Sequence, residues 1–198
     1  MTVIGLTGPT GAGKTTALRV LEDMGFTVVD CDALYYELLK TDKGLRRQLQ
    51  DTFGNVFLPD GRLDRPALGR LAFGDKRALD KLNAIVFPAV TAAVREKISA
   101  CSGRGLVIDA INLIESGLGA LCDCTVAVTA PPEVRIRRIM ARDGISEDYA
   151  RSRVAAQKSD SFYRKRCTLV LENRAGSRGE FEQLIRSFFE DFLEAMEA

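Results

Sequence analysis

Between positions 8 and 15 the chain reads Gly8-Pro9-Thr10-Gly11-Ala12-Gly13-Lys14-Thr15, which satisfies the spacing G-x-x-x-x-G-K-[ST]. Glycines lack a Cβ, so successive backbone N–H groups can converge on phosphate oxygens, and a helix that starts there adds its partial positive charge. On this reading Gly8, Gly11, Ala12, Gly13, Lys14, Thr15 and Thr16 cradle a nucleoside triphosphate. Lys14 neutralises the β and γ phosphates, and the Thr15 hydroxyl ligates Mg2+. The bland alternative is a Gly-rich turn with a solvated lysine. Residue frequencies place the bare pattern by chance in roughly one chain of this size in a hundred, so its position between a strand and a helix decides the matter. The spacing of Gly8, Gly11 and Gly13 does not match the dinucleotide signature G-x-G-x-x-G.

Carboxylates end two further apolar runs. Asp30 and Asp32 close the second run, where positions two apart on a strand share a side, and Asp109 closes the third. Ligands gather at the carboxyl ends of parallel strands, so one of these acids could take the proton of an attacking hydroxyl or stand near Mg2+. Helix capping by Asp32 and turn initiation by Asp109 are the structural alternatives. Arg135, Arg137, Arg138 and Arg142 cluster on one predicted helix. Arg138 and Arg142 lie one turn apart and are the stronger candidates for nucleotide contact, the alternative being a solvated basic face. The chain has no histidine, which excludes Ser-His and Cys-His nucleophilic catalysis.

The elements that must position these residues alternate between strand and helix, as in a mainly parallel sheet covered on both faces. Apolar runs at 3–7, 26–30, 106–109, 125–129 and 169–171 predict five strands. The first passes through the glycine loop into a helix over about 14–24, stopped by Gly25. Residues from about 31 to 102 read as helical segments punctuated by Gly54, Pro59-Asp60-Gly61, Gly74 and Phe87-Pro88, which suggests an inserted substrate-binding region. Pro131-Pro132-Glu133 opens the arginine helix, Asp143-Gly144 ends it, and the charged stretch over about 143–166 could close as a lid. A last helix carries Phe181, Leu184, Ile185, Phe188, Phe189 and Phe192 on one stripe, read as core packing. The whole is an α/β P-loop NTPase three-layer fold on one domain of 198 residues.

Composition narrows the classes. Charge is balanced, with 28 Lys+Arg against 27 Asp+Glu and a net +1, so no nucleic-acid surface is implied. The N-terminus lacks a signal-peptide pattern and no apolar stretch approaches a membrane span, so a soluble cytoplasmic protein without a membrane partner is expected. Five cysteines without C-x-x-C spacing read as reduced, mostly buried side chains.

The sequence resembles the dephospho-CoA kinase family over nearly its full length. The resemblance rests on IGLTGPTGAGKTT, VVDCDAL, LDRPALGRLAF, LNAIVFP, VIDAINLIESGL, RIRRIMARDG, QKSD and LVLEN in that order. It implies transfer of the ATP γ-phosphoryl group to the ribose 3′-hydroxyl of dephospho-CoA. It also implies roles. Asp32 matches the family's general base, Arg65 the arginine of its CoA-binding region, and Asp109 the acid of a substrate-binding stretch. Arg142 and Asn173 match positions expected near the adenine, and Lys14 and Thr15 keep their loop roles. Arg138 joins the substrate-binding set. The chain departs from the family pattern at Phe87, at Ile111-Asn112-Leu113 and at Cys167-Thr168, where many members have His, Pro-Leu-Leu and Ala-Asp. Without the resemblance, a nucleoside or nucleotide monophosphate kinase fits the loop, the insertion and the basic segment almost as well. A nucleotide-binding regulator without turnover is the reading from another class.

Overall fold

The computed structural model describes residues 1–174 and 176–197. Five strands form one sheet in the order β2-β3-β1-β4-β5. They are β1 (Thr2–Thr7), β2 (Phe26–Asp30), β3 (Gly105–Asp109), β4 (Cys124–Thr129) and β5 (Leu169–Glu172). β1 runs parallel to β3 and β4, and β4 runs parallel to β5. The central strands are buried on both faces, which is why they read as unbroken apolar runs: Ile4, Leu6, Val107, Val126 and Val128 have no exposure.

The chain divides into two compact units, one of Met1–Val28 with Cys101–Ala198 and the other of Val29–Ala100. In the first, α1 (Lys14–Asp23) buries Ala17, Val20 and Leu21. The last helix, α9 (Arg178–Glu197), packs Phe181, Ile185, Phe189 and Leu193 into the same core cluster. Leu184, expected on that stripe, is 44% exposed, because it lies about 100° around the helix from Ile185. The charged stretch after α6 (Pro132–Asp143) forms two short helices, α7 (Glu147–Ala155) and α8 (Asp160–Arg166). Ser146 and Ser159 cap them by accepting from the N–H of Tyr149 and Phe162.

The second unit is helical: α2 (Cys31–Thr41), α3 (Lys43–Phe53), α4 (Arg65–Ala72) and α5 (Lys76–Ala100). Leu39, Leu45, Leu49, Val56, Phe57 and Leu68 form its core. Each fully buried leucine there contributes about 1.5–3 kcal/mol. Two expectations change here. Phe87-Pro88 does not break the chain: α5 continues through Pro88. Proline costs the helix a hydrogen bond, but Ile85, Val86 and Ala89 around it pack on the core cluster and hold the turn. Asp30 and Asp32 do not share a strand side, because the backbone turns helical at Cys31 and the two-residue period ends with Asp30. Asp30 is the cap of α2, accepting from Asp32 N at 2.8 Å and Ala33 N at 3.0 Å. Asp32 stands exposed in the first helical turn.

No disulfide and no helix long and apolar enough to cross a membrane occur among the described residues.

Candidate active site

The turn from β1 into α1 is built on glycines with left-handed backbone. Gly11 has φ +82° and Gly13 φ +110°, and a Cβ on Gly13 would lie 2.6 Å from Asn173 Nδ2. A Cβ on Gly8 would sit 2.1 Å from the carbonyl oxygen of Val128, so β4 packs directly against the start of the loop. The peptide N–H of Ala12 donates to Pro9 O at 3.2 Å, and that of Thr16 to Gly13 O at 2.9 Å. At the start of α1 the N–H groups of Lys14 and Thr15 have no intrahelical acceptor, the condition for an anion site.

The loop's outward carbonyls are held by side chains from distant elements. Arg135 Nε donates to Thr10 O at 2.9 Å, and Arg138 Nη1 to Gly11 O and Ala12 O, each at 3.3 Å. Asn173, only 2% exposed at the end of β5, donates through Nδ2 to Ala12 O at 2.9 Å and accepts from Arg138 Nη2 at 3.3 Å. With carbonyls turned outward onto cations and an amide, the N–H side of the loop is left for phosphate. Burial lowers the pKa of both guanidinium groups, with Asp160 partly offsetting this for Arg135 and the nearby Arg137 adding to it for Arg138.

Lys14 Nζ is paired with Asp109 Oδ1 at the end of β3. The β1–β3 register sets Leu6 opposite Asp109, so the acid stands at the same sheet end as the loop. Thr7 Oγ1 donates to Ile111 O at 3.1 Å and ties the two strand ends together. Thr15 is exposed and Thr16 half-buried. Beside them a cleft of about 290 Å3 is lined by Gly13, Thr16, Arg138, Asn173, Ser177 and Phe181.

The structure thus gathers residues 8–16, Arg138, Asn173 and Asp109 into one constellation. Arg142 is turned elsewhere. Its Nε and Nη2 reach the carboxylate of Asp143 at 2.6 and 3.0 Å, which also accepts from Arg153 at 2.6 Å. Arg135, ranked below Arg142 on sequence, is the arginine that grips the loop together with Arg138. Their i, i+3 spacing was the available signal. Gln157 was missed as a site residue although it heads the QKSD stretch: it accepts from Thr10 N at 3.1 Å.

In the helical unit Arg65 opens α4 with its guanidinium 3.7 Å above the Tyr36 ring. Tyr36 is one turn beyond Asp32 on the same face of α2. The adjacent Tyr35 hydroxyl is pushed up to about 12, first by burial and then by Tyr36, with Arg65 opposing.

The profile of the family described as dephospho-CoA kinase matches residues 2–178. A dephospho-CoA kinase of Moorella thermoacetica is 36% identical, with 96% of each chain covered. One of Corynebacterium diphtheriae is 35% identical over the full length of both. A solved Thermus thermophilus structure superposes with a TM-score of 0.79 at 35% identity, covering 98% of this chain and 97% of that one. A shikimate kinase of Acinetobacter baumannii, at 16% identity and a TM-score of 0.53, shares the fold.

Proposed function

Because the chain belongs to the dephospho-CoA kinase family, we propose that it transfers the γ-phosphoryl group of ATP to the ribose 3′-hydroxyl of dephospho-CoA, giving coenzyme A and ADP. The observation that carries this reading is the loop over residues 8–15, its carbonyls fixed by Arg135, Arg138 and Asn173 and its lysine set against Asp109. Such a loop presents N–H groups to a triphosphate without rearrangement, and preorganised donors are what phosphoryl transfer requires of a protein.

Lys14 draws charge from the β and γ phosphates, Arg138 contacts the nucleotide from its place on the loop, and Arg142 reaches it on releasing Asp143. Asn173 and the cleft beside it suit the adenine side. Asp32 accepts the proton of the attacking hydroxyl, and Arg65 and Asp109 bind the acceptor. Residues 31–102 form the acceptor-binding insertion of a single kinase domain, and residues 143–166 its lid.

The residues present fit Mg2+. The Thr15 hydroxyl and the Asp109 carboxylate are hard oxygen donors, and among the described residues no group of three or more His, Cys, Asp or Glu could cage a metal. This is the donor set of an ion held by few protein oxygens and by phosphates. Bound there, Mg2+ would neutralise charge developing on the β and γ oxygens. We place the reaction in the cytoplasm.

A coupled assay of ADP release with dephospho-CoA, AMP, CMP and pantothenate as acceptors tests the reading. ADP is expected with dephospho-CoA alone. Turnover with AMP or CMP instead would point to a nucleotide kinase, and no ADP with any acceptor to a regulator.

A further inference from the structure

We propose that Gln157 is a positioning residue for the nucleotide loop, clamping Thr10 and Arg135 through one side-chain oxygen and so coupling the 143–166 segment to nucleotide affinity. Gln157 Oε1 accepts from the backbone N–H of Thr10 at 3.1 Å and from Nη2 of Arg135, while Arg135 Nε donates to the carbonyl of Thr10 at 2.9 Å. Both polar backbone groups of Thr10 are thereby closed into one ring of three hydrogen bonds. Two donors converge on the same atom of Gln157, so that atom is the amide oxygen and not the NH2.

The ring fixes the loop where it is closely packed. Thr10 lies within the turn closed by Ala12 N to Pro9 O at 3.2 Å. Its neighbour Gly11 is so close to the Arg135 backbone that a Cβ there would meet Arg135 O at 2.9 Å. With its N–H held by Gln157 and its carbonyl by Arg135, Thr10 keeps one orientation in the turn. Arg135 is only 3% exposed, so losing one acceptor leaves a buried cation short of a partner.

Gln157 stands at the joint between α7 and α8. Its own N–H donates to Val154 O at 3.3 Å, and Lys158 beside it pairs with Glu115 at 3.5 Å. A displacement of either helix acts on the clamp, and the clamp acts on the loop. This inference rests on the reading that the loop binds nucleotide.

The test compares the full-length protein with Gln157→Met, which keeps the length but removes the acceptor, and with Gln157→Glu, which keeps it. Mg-ADP affinity is measured by calorimetry, KM and kcat by ADP release, and backbone amide exchange with and without ADP. Gln157→Met is expected to weaken ADP binding and raise KM for ATP about tenfold, the scale of a buried hydrogen bond. KM for dephospho-CoA and kcat should stay within about twofold. ADP should slow exchange over 143–166 in the wild type but not in Gln157→Met, and Gln157→Glu should restore that protection. A purely structural role would lower the melting temperature without this split between KM and kcat. Wild-type ADP affinity in Gln157→Met, or unchanged protection of 143–166 by ADP, overturns the proposal. Should the Met variant fail to fold, Gln157→Asn, one methylene too short to span the ring, is held to the same criteria. A wild-type protein that binds no ADP overturns the nucleotide reading itself, and the clamp with it.

Discussion

The two units hold their shape by different means. In the helical unit the caps are local: Asp30, Asp42 and Asp64 each accept from an N–H two or three residues ahead. Its buried contacts join neighbouring helices through one apolar cluster. In the sheet unit the phosphate loop is instead set by side chains more than a hundred positions away, from α6, the α7–α8 joint and β5. A loop of left-handed glycines has little apolar surface to bury. Its conformation must therefore be specified by polar contacts, and these break singly, whereas a cluster yields gradually.

Paired glycine substitutions test this contrast most severely. Gly13→Ala forces a Cβ onto Asn173 Nδ2 at 2.6 Å and Phe181 Cε1 at 2.8 Å at φ +110°. Loss of nucleotide binding and a drop in turnover of about 10³-fold or more are expected. Gly54→Ala, at φ +76° with open space around it, adds backbone strain only. It should lower stability by about 1–3 kcal/mol while leaving KM for ATP unchanged. Equal kinetic effects of the two variants would break the comparison.

Next in size is Asp32→Asn. As the proposed base on α2 it should cost about 10²-fold or more in kcat with ATP affinity kept, measured by ADP release and calorimetry. Turnover at the wild-type rate would remove that role. A smaller effect follows for Asn173→Ala, which takes a donor from Ala12 O and an acceptor from Arg138. KM for ATP should rise about tenfold, with about 1–3 kcal/mol of stability lost. Arg46→Met is its counterpart in the helical unit. It removes bonds to Leu39 O at 2.7 Å and Gly61 O at 2.8 Å and the stacking on Phe57, so denaturant unfolding should show a loss of about 1–3 kcal/mol with KM for ATP flat.

What was legible in the sequence follows the same division. Strand runs, the glycine loop and the helical stretch could be read because they are repeats of pattern along the chain. The i, i+4 pairing of Arg138 with Arg142 did not single out Arg135, which the helix presents to the loop beside Arg138 while Arg142 is bonded to Asp143. Helical spacing marks which residues share a face but not which face meets the loop. Asp32 was read as a strand-end residue because nothing in VVDCDAL marks the point at which the backbone turns. Gln157 heads the QKSD stretch, but nothing along the chain ties it to its partner Thr10, 147 positions away.

The smallest effect concerns how α6 and α7 are joined. Hydrogen bonds from Arg142 and then Arg153 hold the Asp143 carboxyl well below the usual carboxylate range, and Arg151 lowers Glu133 in the same way. A carboxyl whose folded pKa is depressed contributes stability that is fully present above its unfolded value of about 3.9. That contribution is lost as the pH falls from there through the lower folded value. These groups lie at the surface, so salt screens them, and packing of Ile136, Ile139 and Ala150 carries most of the helix contact. Asp143→Asn should therefore change the melting temperature little at pH 7, and less again in high salt. As the pH falls from about 4 through the depressed folded value the variant and wild type should converge, because protonation removes in the wild type what the substitution removes at every pH. Failure to converge would mean that Asp143 acts through its shape and not its charge, and that this part of the sheet unit is held as the helical unit is, by packing.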